Sequence, residues 1–250
     1  HHPVENPPLV LVGCSGGPDS LALAAVAVFF AGRGEVRIGA VVVDHQMQEG
    51  SEEVAVGTVA KLKELGLDPV ELRTVNVADD GNGPEAAARN ARFEALNQAA
   101  KELGAQTVLL GHTMDDQAES VLLGLARGSG TRSLAGIRER RGIYARPFLG
   151  LRRNEILDIC DALNLEPWHD PSNQNDGYLR VRVRNTVLPF LAEQLGPGIS
   201  ESLARTASIL AHDADYLDRL AAEEFAKLAQ PLRPDDGAGN PQPDHVDQIL

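Results

Sequence analysis

The stretch 9-LVLVGCSGGPDSLALAAVAVFF-30 constrains this chain more than any other. An apolar run of strand length ends in a turn with two adjacent glycines, and an apolar pattern of helix length begins directly behind it. Gly16 and Gly17 carry no Cβ, so the backbone there can take positive φ and approach an anion closely. The N–H groups of the turn and of the first helical turn then converge on one place, where the partial positive charge of a helix N-terminus adds to them. This is the layout of a phosphate-binding loop. It is neither of the two better-known kinds: no Lys followed by Ser or Thr comes after a glycine, and the glycines are adjacent rather than spaced as in a dinucleotide fold. The competing reading is a tight strand-to-helix turn that binds nothing.

The same strand-then-helix alternation continues. Strands are expected at 36-VRIGAVVVDH-45, 69-PVELRTVNV-77 and 106-QTVLLGH-112, with helices at 51–65, 84–104 and 114–128. Four such units predict an α/β fold, a doubly wound parallel sheet, with a small C-terminal helical segment. Ligands of such sheets bind at the carboxyl ends of the strands. Here those ends carry Ser15, Asp44, Asn76, Gly111 and His112, so the polar motifs gather on one edge. Shorter apolar pieces, a helix near 153–164 and one carrying Arg182, Leu188 and Leu191 follow. Gly196, Pro197 and Gly198 then punctuate the chain, so the expected units are 9–195 and 196–250. The second holds a long helix over 200–229 and a Pro-, Gly- and Asp-rich tail read as a linker, after which a longer parent chain is expected.

Length and composition narrow the class. With 250 residues, 43% apolar and 24% charged, one sizeable core plus an appendage is expected. No run of 18 uncharged apolar residues occurs, so no membrane span is expected, and cytoplasmic residence is the default for a chain that opens HHPVENPP, where the two histidines resemble tag remnants. Cys14 and Cys160 match no metal or disulfide spacing and are expected in the core. A net charge of −13 argues against a general nucleic-acid binder, yet residues 127–153 hold eight arginines against one acid, and Arg180, Arg182 and Arg184 form a second cluster.

The second informative stretch is 111-GHTMDDQAESVLLGLARGSG-130. Asp115 and Asp116 begin a helix, where acids are favoured, and Glu119 lies four and three residues on, so all three carboxylates can share a face. Clustered anions need a cation among them, either Mg²⁺ shared with phosphates or a substrate ammonium. His112 could contact a phosphate or a reacting base, Arg127 and Gly128 suit a second anion, and Arg89 and Arg92 share a helix face with Glu85 as an ion-pair partner.

At this point the residues resemble a known family. SGGPDS at 15–20 is similar to the loop of the N-type ATP pyrophosphatases, whose fold is adenine nucleotide alpha hydrolase-like. Within them VDHQMQ at 43–48, EAAARNARFEAL at 85–96, the stretch 111–130, RPFLGLRR at 146–153, WHDPSN at 168–173 and the helix with Arg180, Arg182, Arg184 and Asn185 resemble the tRNA(Ile)-lysidine synthetase family. The resemblance implies a 9–195 catalytic domain and two steps. The carbonyl oxygen of a wobble cytidine attacks the α-phosphate of ATP and releases pyrophosphate; the amine of L-lysine then displaces AMP. It implies an isoleucine tRNA with a CAU anticodon as substrate and no obligate protein partner. Ser15, Gly16, Gly17, Pro18, Asp19, Ser20, Asp44, Arg127 and Gly128 would hold ATP, and Asp19, His112, Asp115, Asp116 and Glu119 would serve the chemistry. Asp19, Asp115 and Asp116 would meet Mg²⁺, and Arg89, Arg92, Arg138, Arg141, Arg152, Arg180, Arg182 and Arg184 would meet the tRNA. Met47 and Gln48 depart mildly from the family pattern. The acidic helix 200–229 is expected to be structural, not phosphate-binding, and many members carry further tRNA-reading domains. Two alternatives remain at this stage: another reaction on the same scaffold, such as tRNA thiolation or amidation, and a nucleotide sensor without catalysis.

Overall fold

The computed structural model describes residues 7–46, 48, 50–76, 84–175 and 177–228. The tag-like N-terminus, Met47, the Glu85 side chain and the tail after 228 lie outside the described residues.

The strands β1 (Leu9–Cys14), β2 (Arg37–Asp44), β3 (Val70–Thr74) and β4 (Thr107–Leu110) are parallel neighbours in the order β3-β2-β1-β4. Each is followed by a helix: α1 (Pro18–Ala31), α2 (Ser51–Glu64), α3 (Pro84–Leu103) and α4 (Met114–Ala126). The strand order reverses direction at β1, so the β1 and β4 carboxyl ends flank the crevice where such folds bind ligands. A one-turn helix α5 (Thr131–Leu134) leads to a hairpin of two-residue strands, β5 (Arg140–Arg141) and β6 (Tyr144–Ala145). β6 adds to β4 in parallel and β5 pairs with it antiparallel, giving the sheet a sixth strand. The sequence showed only the four long strands, because two residues carry no periodicity.

Both faces of the sheet are covered, and this explains why its strands read as unbroken apolar runs. Successive β1 side chains alternate: Val12 and Cys14 pack with α1, α2 and α6 (Arg153–Ala162) through Leu21, Leu62 and Ile156, whereas Leu9 and Leu11 pack under α3 with Leu96 and Ala99. Cys14 and Cys160 are free and buried there, as expected of small core residues.

The remaining helices close one end. α7 (Leu179–Arg182), a π-helical turn (Val183–Val187) and α8 (Leu188–Leu195) form one run, and α9 (Ile199–Leu228) returns across it. A small cluster of Ala118, Val183 and Leu188, with Leu203 of α9, joins this unit to α4. Along α9 acids meet arginines from the domain: Glu201 with Arg152, Asp215 with Arg138 and Asp218 with Arg132. No described helix is long and apolar enough to cross a membrane.

Candidate active site

The glycine loop is shaped by contacts the chain makes with itself. Gly16 has φ +82, and a Cβ there would stand 2.4 Å from Thr58 Oγ1, so both conformation and space demand glycine. Gly17 caps α1 with extended backbone, and Pro18 opens the helix, where its missing N–H costs nothing. The Ser20 hydroxyl accepts from Ser15 N–H at 3.1 Å and donates to the Gly17 carbonyl at 3.1 Å. One further bond fixes the turn from outside: Trp168 N–H donates to the Gly16 carbonyl at 2.9 Å. A Cβ on Gly111, just past β4, would meet the Asp19 carbonyl at 2.8 Å, so β4 and the first turn of α1 are in close contact.

Two cavities open from this loop and share Ser15, His45, Ala88 and Arg180. The first, about 410 Å³, lies at the end of β2 against Val42, Val54, Ala55 and Trp168. Asp44 stands at its edge, buried, with Oδ1 accepting from Gln46 N–H at 2.9 Å to turn the chain. Gln48 donates across the rim to Asp170 at 3.2 Å. The second, about 370 Å³, is lined by Asp19, Arg89, Arg92, His112 and Asp116.

The second cavity has unusual electrostatics. Burial pushes the Asp19 carboxyl up to about 6, with Arg153 opposing the rise, and its Oδ1 is buried without a hydrogen-bond donor. Burial, with help from Arg92, Arg146 and Arg180 and against Asp116, pushes His112 down to about 3, so the ring is neutral at physiological pH. Its Nδ1 has no partner. Burial also lowers Arg92, to about 10, reinforced by Arg89, Arg180 and Arg146.

The three acids of α4 are brought together, but their counter-ions come from the chain. Asp116 caps its own helix: Oδ2 accepts from Thr113 N–H at 2.8 Å, and Oδ1 lies 3.3 Å from Arg184 and 3.7 Å from both Arg153 and Arg180. Burial works against its charge, but the Thr113 N–H, Arg180, Arg153 and His112 outweigh it and lower its pKa. Asp115 turns to α6, accepting from Arg153 N–H at 2.7 Å and standing 3.1 Å from Arg152 Nη2. Glu119 has no exposed surface and is gripped by Arg180 Nε at 2.8 Å and Arg184 Nε at 2.6 Å. Arg180 precedes the π turn and Arg184 lies within it, a feature often found at functional sites.

The expected site residues are distributed as follows. Among the described residues no group of three or more His, Cys, Asp or Glu is placed to hold a metal. Asp115 and Asp116, expected as metal ligands, accept from guanidinium and N–H donors here, whereas Asp19 has Oδ2 3.9 Å from Arg153 and its buried Oδ1 without a donor. Arg127 and Gly128 are not at the nucleotide loop: they follow α4 at its far end, about 20 Å along a helix of 13 residues. The eight arginines expected to meet RNA do not form one surface either. Arg89 and Arg92 face the second cavity, Arg180 and Arg184 hold Glu119, Arg138 and Arg152 reach α9, Arg141 is on the β5–β6 hairpin, and exposed Arg182 bonds the Gly177 carbonyl at 3.1 Å. The sequence reading gave no role to Arg153, Arg146, His45 or Trp168. The excess of arginines over acids in 127–153 was the available signal for Arg146 and Arg153; nothing local marks the Trp168 backbone bond.

Comparison with known proteins gives the family and the fold. Residues 3–191 match the family model described as a PP-loop domain. The chain is 52% identical to the tRNA(Ile)-lysidine synthase of Leifsonia xyli, over 95% of this chain and 70% of that one. It is also 52% identical to the Thermobifida fusca tRNA(Ile)-lysidine synthase, over 92% and 71%, and 53% identical to that of Streptomyces coelicolor, over 88% and 63%. In fold it is similar to the U34-tRNA thiolase NcsA from Methanococcus maripaludis, with a TM-score of 0.68 at 19% identity over 83% of this chain and 74% of that chain. With its glycine loop, its parallel sheet and half of its residues in common with these synthases, the chain belongs to the tRNA(Ile)-lysidine synthase family of PP-loop, ATP-using, tRNA-modifying enzymes.

Proposed function

We propose that the two cavities sharing the glycine loop hold the two ends of one reaction: ATP in the first, and a wobble cytidine of a CAU-anticodon isoleucine tRNA with L-lysine in the second. The observation that carries this is their union at Ser15, His45 and Arg180, one side apolar enough for a base and ribose, the other charged and partly water-excluded. In this reading 9–195 is the catalytic unit. The loop N–H groups and the α1 N-terminus grip the pyrophosphate as it leaves, charge stabilisation in a site where water screens little. The cytidine O2 attacks the α-phosphorus and the bond to the β-phosphate bridging oxygen breaks. The lysine amine then attacks C2 of the activated ring; AMP departs with the former O2, and the amine's proton is lost.

This chain's residues align and discharge these groups. Neutral His112 offers an unpartnered ring nitrogen to the base or to the amine proton, within reach of the Asp116 field. Asp19 Oδ1, a buried acceptor without a donor, fits one coordination position of a Mg²⁺ shared with ATP phosphates, a hard ion that would neutralise charge on the displaced pyrophosphate.

A sulfur-relay alternative finds no support in the cysteines. Both are buried in the core, and burial pushes both thiols up, away from the reactive thiolate. The test is incubation with ATP, Mg²⁺, radiolabelled lysine and a CAU-anticodon isoleucine tRNA transcript. Label bound covalently to RNA, lost in Asp19→Ala and when the wobble cytidine is replaced by uridine, is the expected result. Pyrophosphate release without attached lysine would overturn the choice of nucleophile.

A further inference from the structure

A third cavity, about 530 Å³, lies behind the second, between α3 and the β5–β6 hairpin, and the two meet at Arg89. Its wall includes Phe93, Asn97, Arg141, Tyr144 and Arg146. Arg146 is 5% exposed, donates from Nη1 to the Arg138 carbonyl at 2.8 Å, and keeps a buried Nε with no acceptor. Arg92, whose guanidinium stands 5.6 Å from the Phe93 ring centre, also has a buried Nε without an acceptor. Among the described residues no carboxylate lies within 4 Å of Arg92, Arg141 or Arg146. Of these only Arg146 is fully buried, with Arg92 half-buried and Arg141 exposed; a buried guanidinium without a counter-ion is costly, and an anion in the cavity would relieve that cost. Burial lowers Arg146, and Arg89 and Arg141 lower it further, so like charges face one another across this wall.

We infer that this cavity takes a backbone phosphate of the RNA strand flanking the nucleotide that reacts in the second cavity, with Arg141 and Arg146 as its donors. A phosphodiester suits the planar donor fork of arginine and carries the charge the cluster lacks. The Tyr144 hydroxyl donates to Asn97 Oδ1 at 2.7 Å and holds that side of the wall, and Phe93 packs edge-to-face on Tyr144 at 4.9 Å, so the cavity is prearranged. The inference rests on reading the adjoining cleft as an RNA-modifying site.

The test is binding of a 17-nucleotide-class anticodon stem-loop, of about that length, measured across a salt series, with single methylphosphonates placed in turn at phosphates flanking the wobble cytidine. Arg141→Ala, at an exposed hairpin position, should weaken binding about tenfold and reduce the log–log salt slope by about 1, whereas Arg37→Ala at the opposite sheet end should leave both unchanged. One methylphosphonate should weaken wild-type binding by a similar factor and have little effect in Arg141→Ala. Arg146→Lys, which keeps the charge but loses the fork, should retain part of that loss and a wild-type melting curve. Wild-type affinity and slope in Arg141→Ala, with no coupled phosphate, would overturn the inference. Coupling intact with no covalent lysine transfer would instead overturn the reaction assignment and leave the phosphate site standing.

Discussion

The two sides of the adjoining second and third cavities use the same side chain in opposite ways. On the α4 wall Arg152, Arg153, Arg180 and Arg184 each stand within 4 Å of a carboxylate, and Glu119 is wholly enclosed by two of them. On the α3 and hairpin wall half-buried Arg92 and buried Arg146 have enclosed Nε atoms without an acceptor and other arginines as their neighbours. The first arrangement is balanced and holds the fold; in the second, Arg92 and Arg146 keep Nε atoms that no described residue satisfies, which on the inference above a phosphate would complete. Arginine content alone therefore does not mark an RNA surface.

The largest effect that could break this contrast is on the balanced wall. Glu119→Ala removes the fully buried carboxylate that holds Arg180 and Arg184 and leaves Asp116 as their remaining acid partner, and should destabilise the protein by about 3 kcal/mol, read from urea unfolding. A loss under 1 kcal/mol would mean that those arginines are as tolerant as the ones opposite. Next comes Asp19, the acid of the cleft that has a buried oxygen without a donor. Its folded-state pKa near 6 lies above the 3.8 of the unfolded chain, so the folded form binds the proton more tightly, and stability falls as pH rises from about 4 through 6. Asp19→Asn should erase that slope and raise stability at pH 7 by about 2 kcal/mol while abolishing pyrophosphate release. A wild-type slope retained in the variant would place the titration elsewhere.

On the unbalanced wall, Arg92→Met should leave stability unchanged or raise it by about 1 kcal/mol, while RNA affinity falls; a loss comparable to Glu119→Ala would erase the distinction between the walls. The smallest effect is outside the cleft. The Arg132–Asp218 contact is solvent-exposed on both sides, so Asp218→Asn should change unfolding free energy by less than about 0.5 kcal/mol and less still in high salt.

The long elements were legible because their periods are unambiguous. β1 alternates across two covered faces and α3 keeps a helical spacing over twenty residues, so both were visible to within a residue or two. The glycine loop was visible for the same reason: its conformation is a local demand on Gly16 and Gly17. The acids of α4 were visible as a cluster, but not their partners. Arg180 and Arg184 are some sixty residues away and reach Glu119 only once the run from α7 to α8 has packed against α4. Arg127 misled for the converse reason: it is close to Asp116 in sequence and a helix length away in space.

The bond from Trp168 to Gly16 sets an order of events during synthesis. The nucleotide loop leaves the ribosome among the first residues of the domain, yet the N–H that fixes its carbonyl belongs to a segment made near the domain's end. Parallel sheets already fold late because their pairings are non-local. Here the glycine turn itself waits for the chain to come back to it. A nascent chain stalled before residue 168 carries the whole glycine motif without the bond that fixes its turn, so on the function proposed above ATP would gain its full hold only after that segment is made.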